Sequence, residues 1–218
     1  MSGGVTPECA VDYGRRCQAI GQERRNTADL QDAMSHPDFK PRHHQLLDEL
    51  AAEYRQTLPL IERPAFATIQ IGTFKEIADL RQALTAGGFR IGDWASDLMG
   101  RPEFTLVAEP TEVKLYAATV AELGYPNGCT VAEIIAAIEK IGGVKLPAEA
   151  GPQYRLQCLD QLLGEWRLMY QEPITDSDGG LEVFHVVRDE SGRWLHSGYA
   201  GPEDFYDGDG VWVFGRKS

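Results

Sequence analysis

The sequence predicts an α+β fold: an N-terminal helical segment, then helices packed on a mainly antiparallel sheet that ends in a C-terminal β-meander. Three observations carry this. Apolar residues recur at helical spacing from Arg42 to Tyr54 and from Thr130 to Ile141, strand-like alternation fills much of 154–214, and glycine-bearing polar turns separate those runs. The predicted boundaries are a helical arm or hairpin over 1–62 and an α+β domain over 63–218, itself divided into a mixed part (63–150) and a meander part (151–218).

In the arm, Leu46, Leu47, Leu50, Ala51 and Tyr54 form a stripe opposite Asp48, Glu49 and Glu53. Asn26 or Thr27 caps a shorter helix carrying Leu30 and Met34, and Pro37 and Pro41 interrupt the path between the two. Such a stripe needs a partner surface, so self-association through these helices is one expectation. Character changes at Arg63–Pro64. Ala65 to Ile71 reads as a strand, and Thr73 and Glu76 then stand at capping-box spacing before a helix with Ile77, Leu80 and Leu84 inward, stopped at Gly87–Gly88. A short helix from Asp93 to Met99 is expected to bury Trp94 and Leu98.

Past Pro110, Val113, Leu115 and Ala117 alternate with Lys114 and Tyr116 as in a strand. Thr130 and Glu133 repeat the capping-box spacing ahead of Val131, Ile134, Ile135, Ile138 and Ile141, and Gly142–Gly143 ends that helix. The meander is expected to run through strands at 154–159, 165–171, 181–188, 193–199 and 211–214.

Charge narrows the class of partner. The 218 residues include 33 acidic and 21 basic side chains, a net charge of -12, which repels phosphate backbones and anionic lipid. Nucleic acid is therefore an unlikely partner, and no apolar run is long enough to span a bilayer. With no secretory leader at the start and four cysteines (Cys9, Cys17, Cys129, Cys158) lacking C-x-x-C spacing, the expected compartment is the cytoplasm and the expected thiols are free. Half of the acidic excess falls after residue 150, where 12 acidic residues face 6 basic ones.

Site chemistry is sparse. No nucleophile elbow, Walker loop, dinucleotide fingerprint or H-E-x-x-H is present, so the reading leans away from an enzyme, with no cofactor expected. Asp176 and Asp178 place carboxylates at alternate positions before Gly179–Gly180 like the opening of a calcium loop, with Glu182 beyond the glycines, and Asp207-Gly208-Asp209-Gly210 echoes it. Calcium or magnesium is the alternative there, against ordinary hairpin turns.

His185 and His196 flank the turn Asp189-Glu190-Ser191-Gly192. A two-residue loop sets them opposite each other on one face, whereas a glycine bulge at Gly192 parts them, and glycine at that position favours the bulge. With Asp176 and Asp178 they define the alternative function, a metal-binding protein or metal-dependent hydrolase. His36, His43 and His44, and the basic cluster Arg15, Arg16, Arg24 and Arg25, read as solvated. The main reading is a non-enzymatic protein-interaction module. Trp194, Tyr199, Phe205, Tyr206, Asp207 and Asp209 supply its acidic, aromatic surface, and the partner is another protein.

FRIGDWASDLM (89–99), LPAEAGPQYRLQ (146–157), EPITDSDGG (172–180) and RWLHSGYAGPEDF (193–205) carry a resemblance. On these segments the chain, over about 73–214, resembles an uncharacterised family of bacterial proteins of candidate-phylum type. The resemblance implies no activity, ligand or site residue.

Overall fold

A computed structural model describes residues 59–216. The predicted arm, its Arg42–Tyr54 stripe, the histidines at 36, 43 and 44, the arginine cluster and Cys9 and Cys17 lie outside the described residues. Of the stretch before Pro64, where the second of the chain's two units begins, the structure describes a 3₁₀ turn at Leu60–Glu62.

That second unit corrects the predicted fold class. It is mostly sheet: nine strands form one curled half-barrel, two more form a small ribbon, and four short helices accompany them among the described residues. In chain order the elements are β1 (Ala67–Ile71), α1 (Ile77–Ala86), β2 (Arg90–Ile91), α2 (Asp93–Leu98), β3 (Thr111–Thr119), β4 (Cys129–Thr130), α3 (Val131–Lys140), β5 (Gly143–Val144), α4 (Ala150–Gln157), β6 (Trp166–Met169), β7 (Ile174–Thr175), β8 (Leu181–Asp189), β9 (Gly192–Tyr199), β10 (Phe205–Tyr206) and β11 (Val211–Arg216).

The strand order is β1-β3-β11-β6-β8-β9-β2, with β5 added beside β11 and β7 beside β8, while β10 pairs with β4. A meander would keep sequential strands adjacent. Here the last strand, β11, inserts between β3 and β6 and runs parallel to β6, and β2 joins β9 in parallel at the far edge. One sheet thus takes strands from both the 63–150 and 151–218 stretches.

The predicted strand at 154–159 is also corrected, because α4 occupies Ala150–Gln157. Its sequence AGPQYRLQ has weak helical patterning, and tertiary contacts decide its state. Pro152 falls in the first helical turn, where a missing N–H costs nothing. Gly151 lets the helix lie close on the sheet, since a Cβ there would stand 2.6 Å from Phe184 Cβ. Glu149, Gln153 and Gln157, one turn apart, each find a fixed partner on β1 or its following loop.

Local signals fare unevenly. The Thr130–Glu133 capping box forms in both directions, and Gly142 follows the end of α3 at φ +81°. At α1 the box is absent: Glu76 is the N-cap without a side-chain bond, and Thr73 Oγ1 instead accepts from Gln153 Nε2. In α2 the buried residues are Ala95 and Leu98, and Trp94, expected inside, is 45% exposed.

Register sorts the strands into two faces. On the first, Ile69, Ile71, Leu115, Val213, Met169, Phe184, Val186 and Leu195 meet α1, α2 and α4 to form the main core. The second carries Trp212, Phe214, Leu168, Val183, His185, Val187, Trp194 and His196. Helix α3 lies over part of it, because Gly143 touches both Ile138 and Phe214 and Tyr170 Oη donates to Glu139 at 2.7 Å.

Candidate functional site

Of the expected interaction residues, Tyr199 and Tyr206 meet at the open end of β8 and β9, and Phe205, Asp207 and Asp209 follow along the β10 segment that leads from there to the start of β11. Tyr199 closes β9 opposite Glu182, and Ala200 N–H donates to Leu181 O, which squares off the hairpin end. Tyr206 hydroxyl then donates to Tyr199 O at 2.7 Å, fastening the β10–β4 ribbon to that corner. Alternation turns Tyr206 inward, edge-on to Trp212 at 5.5 Å, and Phe205 outward. Tyr199 is 65% and Phe205 58% exposed, while the backbone beneath both is held by hydrogen bonds.

Asp207 and Asp209 are exposed in the turn after Tyr206. The turn closes through Gly210 N–H to Asp207 O, and it docks on β3's end, with Ala121 N–H donating to Gly208 O and Val120 N–H to Gly210 O. Gly208 is required there, since a Cβ would lie 2.3 Å from Pro126 O. Trp194 lies at the opposite end of β9 from Tyr199. It is half-buried near the turn of the β8–β9 hairpin, stacked on His196 at 4.8 Å with the Arg90 guanidinium 5.1 Å from its ring centroid.

Asp176 works as the keystone of its loop. Its Oδ1 accepts from Asp178 N–H and Gly180 N–H, both at 2.8 Å, and Asp176 N–H donates to Gly180 O. Asp178 is exposed, and Ser177 N–H donates to Asp97 Oδ2, tying the loop to α2. Asp97 is held below the usual carboxylate range first by its hydrogen bonds with Arg101. Glu182 is buried on the first face with Oε2 lacking a partner, and burial pushes its carboxyl upward, reinforced by Asp176 and Asp97. Among the described residues no group of three or more His, Cys, Asp or Glu side chains is placed to hold a metal ion.

At the other end of β8 the register is a straight ladder from Asp189↔Gly192 to Glu182↔Tyr199, with Glu190–Ser191 as a two-residue loop. The bulge favoured from the sequence is absent, and His185 stands directly opposite His196. Asp189 takes over the turn: its Oδ1 accepts from Ser191 N–H, Ser191 Oγ–H and Gly192 N–H, while Gly192 sits at φ +139°. Both histidines project from the second face and Glu182 from the first, so the sheet separates the histidine pair from the carboxylate group.

Two features escaped sequence reading. Glu149, fully buried, accepts from Gly72 N–H (2.9 Å), Val107 N–H (2.8 Å) and Gln153 Nε2 (2.8 Å). Gln157 continues the series, exchanging hydrogen bonds with Gln70 N–H and O, so one helix clamps the β1 edge and the loops beside it. The polar repeat at i, i+4, i+8 was the available signal.

Arg155, also fully buried, donates to Gln161 Oε1 (2.5 Å) and Cys158 O (2.8 Å), with its guanidinium 5.3 Å from the Phe89 ring centroid. Lacking a carboxylate partner among the described residues, it is pulled by burial to about 10. Arg188 and Arg193 donate to Gln161 O and Leu159 O of the same loop, whose Leu159, Leu162 and Leu163 side chains face outward. A cleft of about 390 Å³ opens between Glu139, Gly142, Gly143, Val144, Lys145 and Tyr170, and a Lys145–Glu172 ion pair stands at it. Cys129 and Cys158 are free, with burial raising the Cys158 thiol to about 11.

Comparisons with family models, curated proteins and solved structures return no match to this chain.

Proposed function

We propose that the chain is a non-enzymatic protein-interaction module that engages a basic protein segment through the exposed side chains of Tyr199, at the open hairpin corner, and of Phe205, Asp207 and Asp209, on the β10 segment that follows it. The observation that carries this is the pair of aromatic rings, each more than half exposed, on a backbone fastened from both strands. Aromatic rings held rigidly pay little entropy on binding and are enriched among residues that dominate association energies. The exposed carboxylates of Asp207 and Asp209, within a chain of net charge -12, favour a partner of opposite sign.

A cytoplasmic setting and membership of the bacterial family resembled by 73–214 belong to the same proposal. No described helix is long and apolar enough to cross a membrane. Self-association through residues 1–62 is a second form of the interaction reading, and light scattering separates the two. The decisive experiment captures proteins from the source organism on immobilised full-length chain, comparing the native protein with a Tyr199→Ser/Phe205→Ser double variant and with Asp207→Asn/Asp209→Asn. The proposal expects a partner that the aromatic variant loses and that raised salt or the amide variant weakens. Identical capture by all three proteins sinks it.

A further inference from the structure

We infer that His185 and His196 form a two-histidine site on the second face of the sheet for a borderline divalent transition-metal ion, of which zinc is the type.

The register is the first ground. Directly opposed residues on one face of an antiparallel pair hold their Cβ atoms about 4.5–5.5 Å apart. That separation lets two imidazoles reach one ion at zinc–nitrogen distances of about 2.0–2.1 Å. The ladder that sets His185 against His196 is pinned by Asp189 at the turn, so this spacing is built into the hairpin.

The surroundings orient both rings. His196 stacks on Trp194, with ring planes 12° apart. Its Nδ1 edge abuts Gly92, where a Cβ would stand only 2.4 Å from Nδ1, so Nε2 is the nitrogen turned away from that wall. His185 meets Trp166 edge-on at 5.4 Å, and its Nε2 is buried without a hydrogen-bond partner. A buried ring nitrogen left unsatisfied costs about 1–3 kcal/mol, and coordination would remove that cost.

Chemistry selects the ion. Imidazole suits zinc, copper and nickel, whereas calcium and magnesium need oxygen ligands. The nearby candidate oxygens do not serve: Glu182 projects from the opposite face, and Asp189 Oδ1 is occupied by three donors. Two protein ligands leave coordination positions for water.

The test is a calorimetric titration of the full chain with ZnCl2 near neutral pH, paired with thermal melts. Expected is one zinc per chain and a rise in Tm that grows with zinc concentration. His196→Gln, at a half-exposed position, should weaken binding by at least about tenfold while leaving the metal-free melt close to native, since single surface changes cost little. A His36→Gln/His43→Gln/His44→Gln variant should bind as the native chain does. In ¹⁵N spectra the His185 Nε2 resonance should move on adding zinc. No zinc binding by the native chain overturns the inference, as does equal binding by His196→Gln or binding lost only in the triple variant.

Discussion

The two faces of the curled sheet solve the same problem, burying one side of the same strands, by different means. The first face uses aliphatic side chains under three helices and then locks one helix to the sheet with a buried polar clamp of Glu149, Gln153 and Gln157, each of which bonds to a group far away in sequence. The second uses aromatic rings under a short helix and a two-stranded ribbon, and there His185 Nε2 and Trp212 Nε1 are buried without partners; on the first face Glu182 Oε2, outside the clamp, is in the same position. The difference teaches where stability and where adaptability reside. Satisfied buried polar networks define a single arrangement, whereas unsatisfied groups mark places that a ligand or a proton can change.

The sharpest way to break this comparison is Glu149→Ala. It removes the acceptor from two backbone N–H groups and from the Gln153 amide, at about 1–3 kcal/mol for each buried orphan. A loss of about 4 kcal/mol in urea unfolding is expected, and a loss below about 1 kcal/mol would show that the clamp is incidental.

Next in size is the acid response of the second face. Burial holds His185 down to about 4 against an ordinary value of 6.5, so the native ring stays neutral where the unfolded one charges. With a depressed folded value, this contribution is fully present above about pH 6.5 and is lost as pH falls towards 4, amounting to about 3 kcal/mol over that window. His196, lowered in the same direction, adds to it. Unfolding measured across pH 4–7 should show the slope, and His185→Phe should flatten it. An unchanged slope in that variant would place the acid sensitivity elsewhere.

A smaller effect is expected at α3, outside the clamp. Thr130→Ala removes one arm of the capping box and should cost about 1 kcal/mol. The smallest effect on stability belongs to the proposed interaction corner. Tyr199→Ser and Phe205→Ser should each leave unfolding within about 0.5 kcal/mol of native while reducing partner capture. A substantial loss of stability from either change would make these rings structural and remove the basis of the interaction reading.

Legibility followed the range of the interactions. Pro110 before β3, the alternation of Val113, Leu115 and Ala117, the capping box at Thr130 and the glycine stops after α1 and α3 are decided within a few residues, and the sequence shows them. The Thr73–Glu76 spacing looked identical to that at Thr130, yet Gln153, 80 residues away, takes the Thr73 hydroxyl. Gly192 at the end of a turn favours a bulge statistically, but Asp189 satisfies the turn's donors and keeps the ladder in step. For the site, Tyr199, Phe205, Asp207 and Asp209 are exposed, while Tyr206 is turned inward against Trp212. Trp194 is separated from Tyr199 because alternation puts it on the second face, near the hairpin turn at the other end of β9.

By itself, then, the sequence determined the acidity, the absence of the familiar catalytic motifs, most helix stops and where several strands run, because composition, capping and alternation act locally. Only the tertiary structure decided that β11 enters between β3 and β6, that residues 150–157 are helical, and that His185 faces His196 while Glu182 faces away. Strand order and register depend on which distant partners satisfy each backbone and buried polar group, and no window of sequence contains both partners.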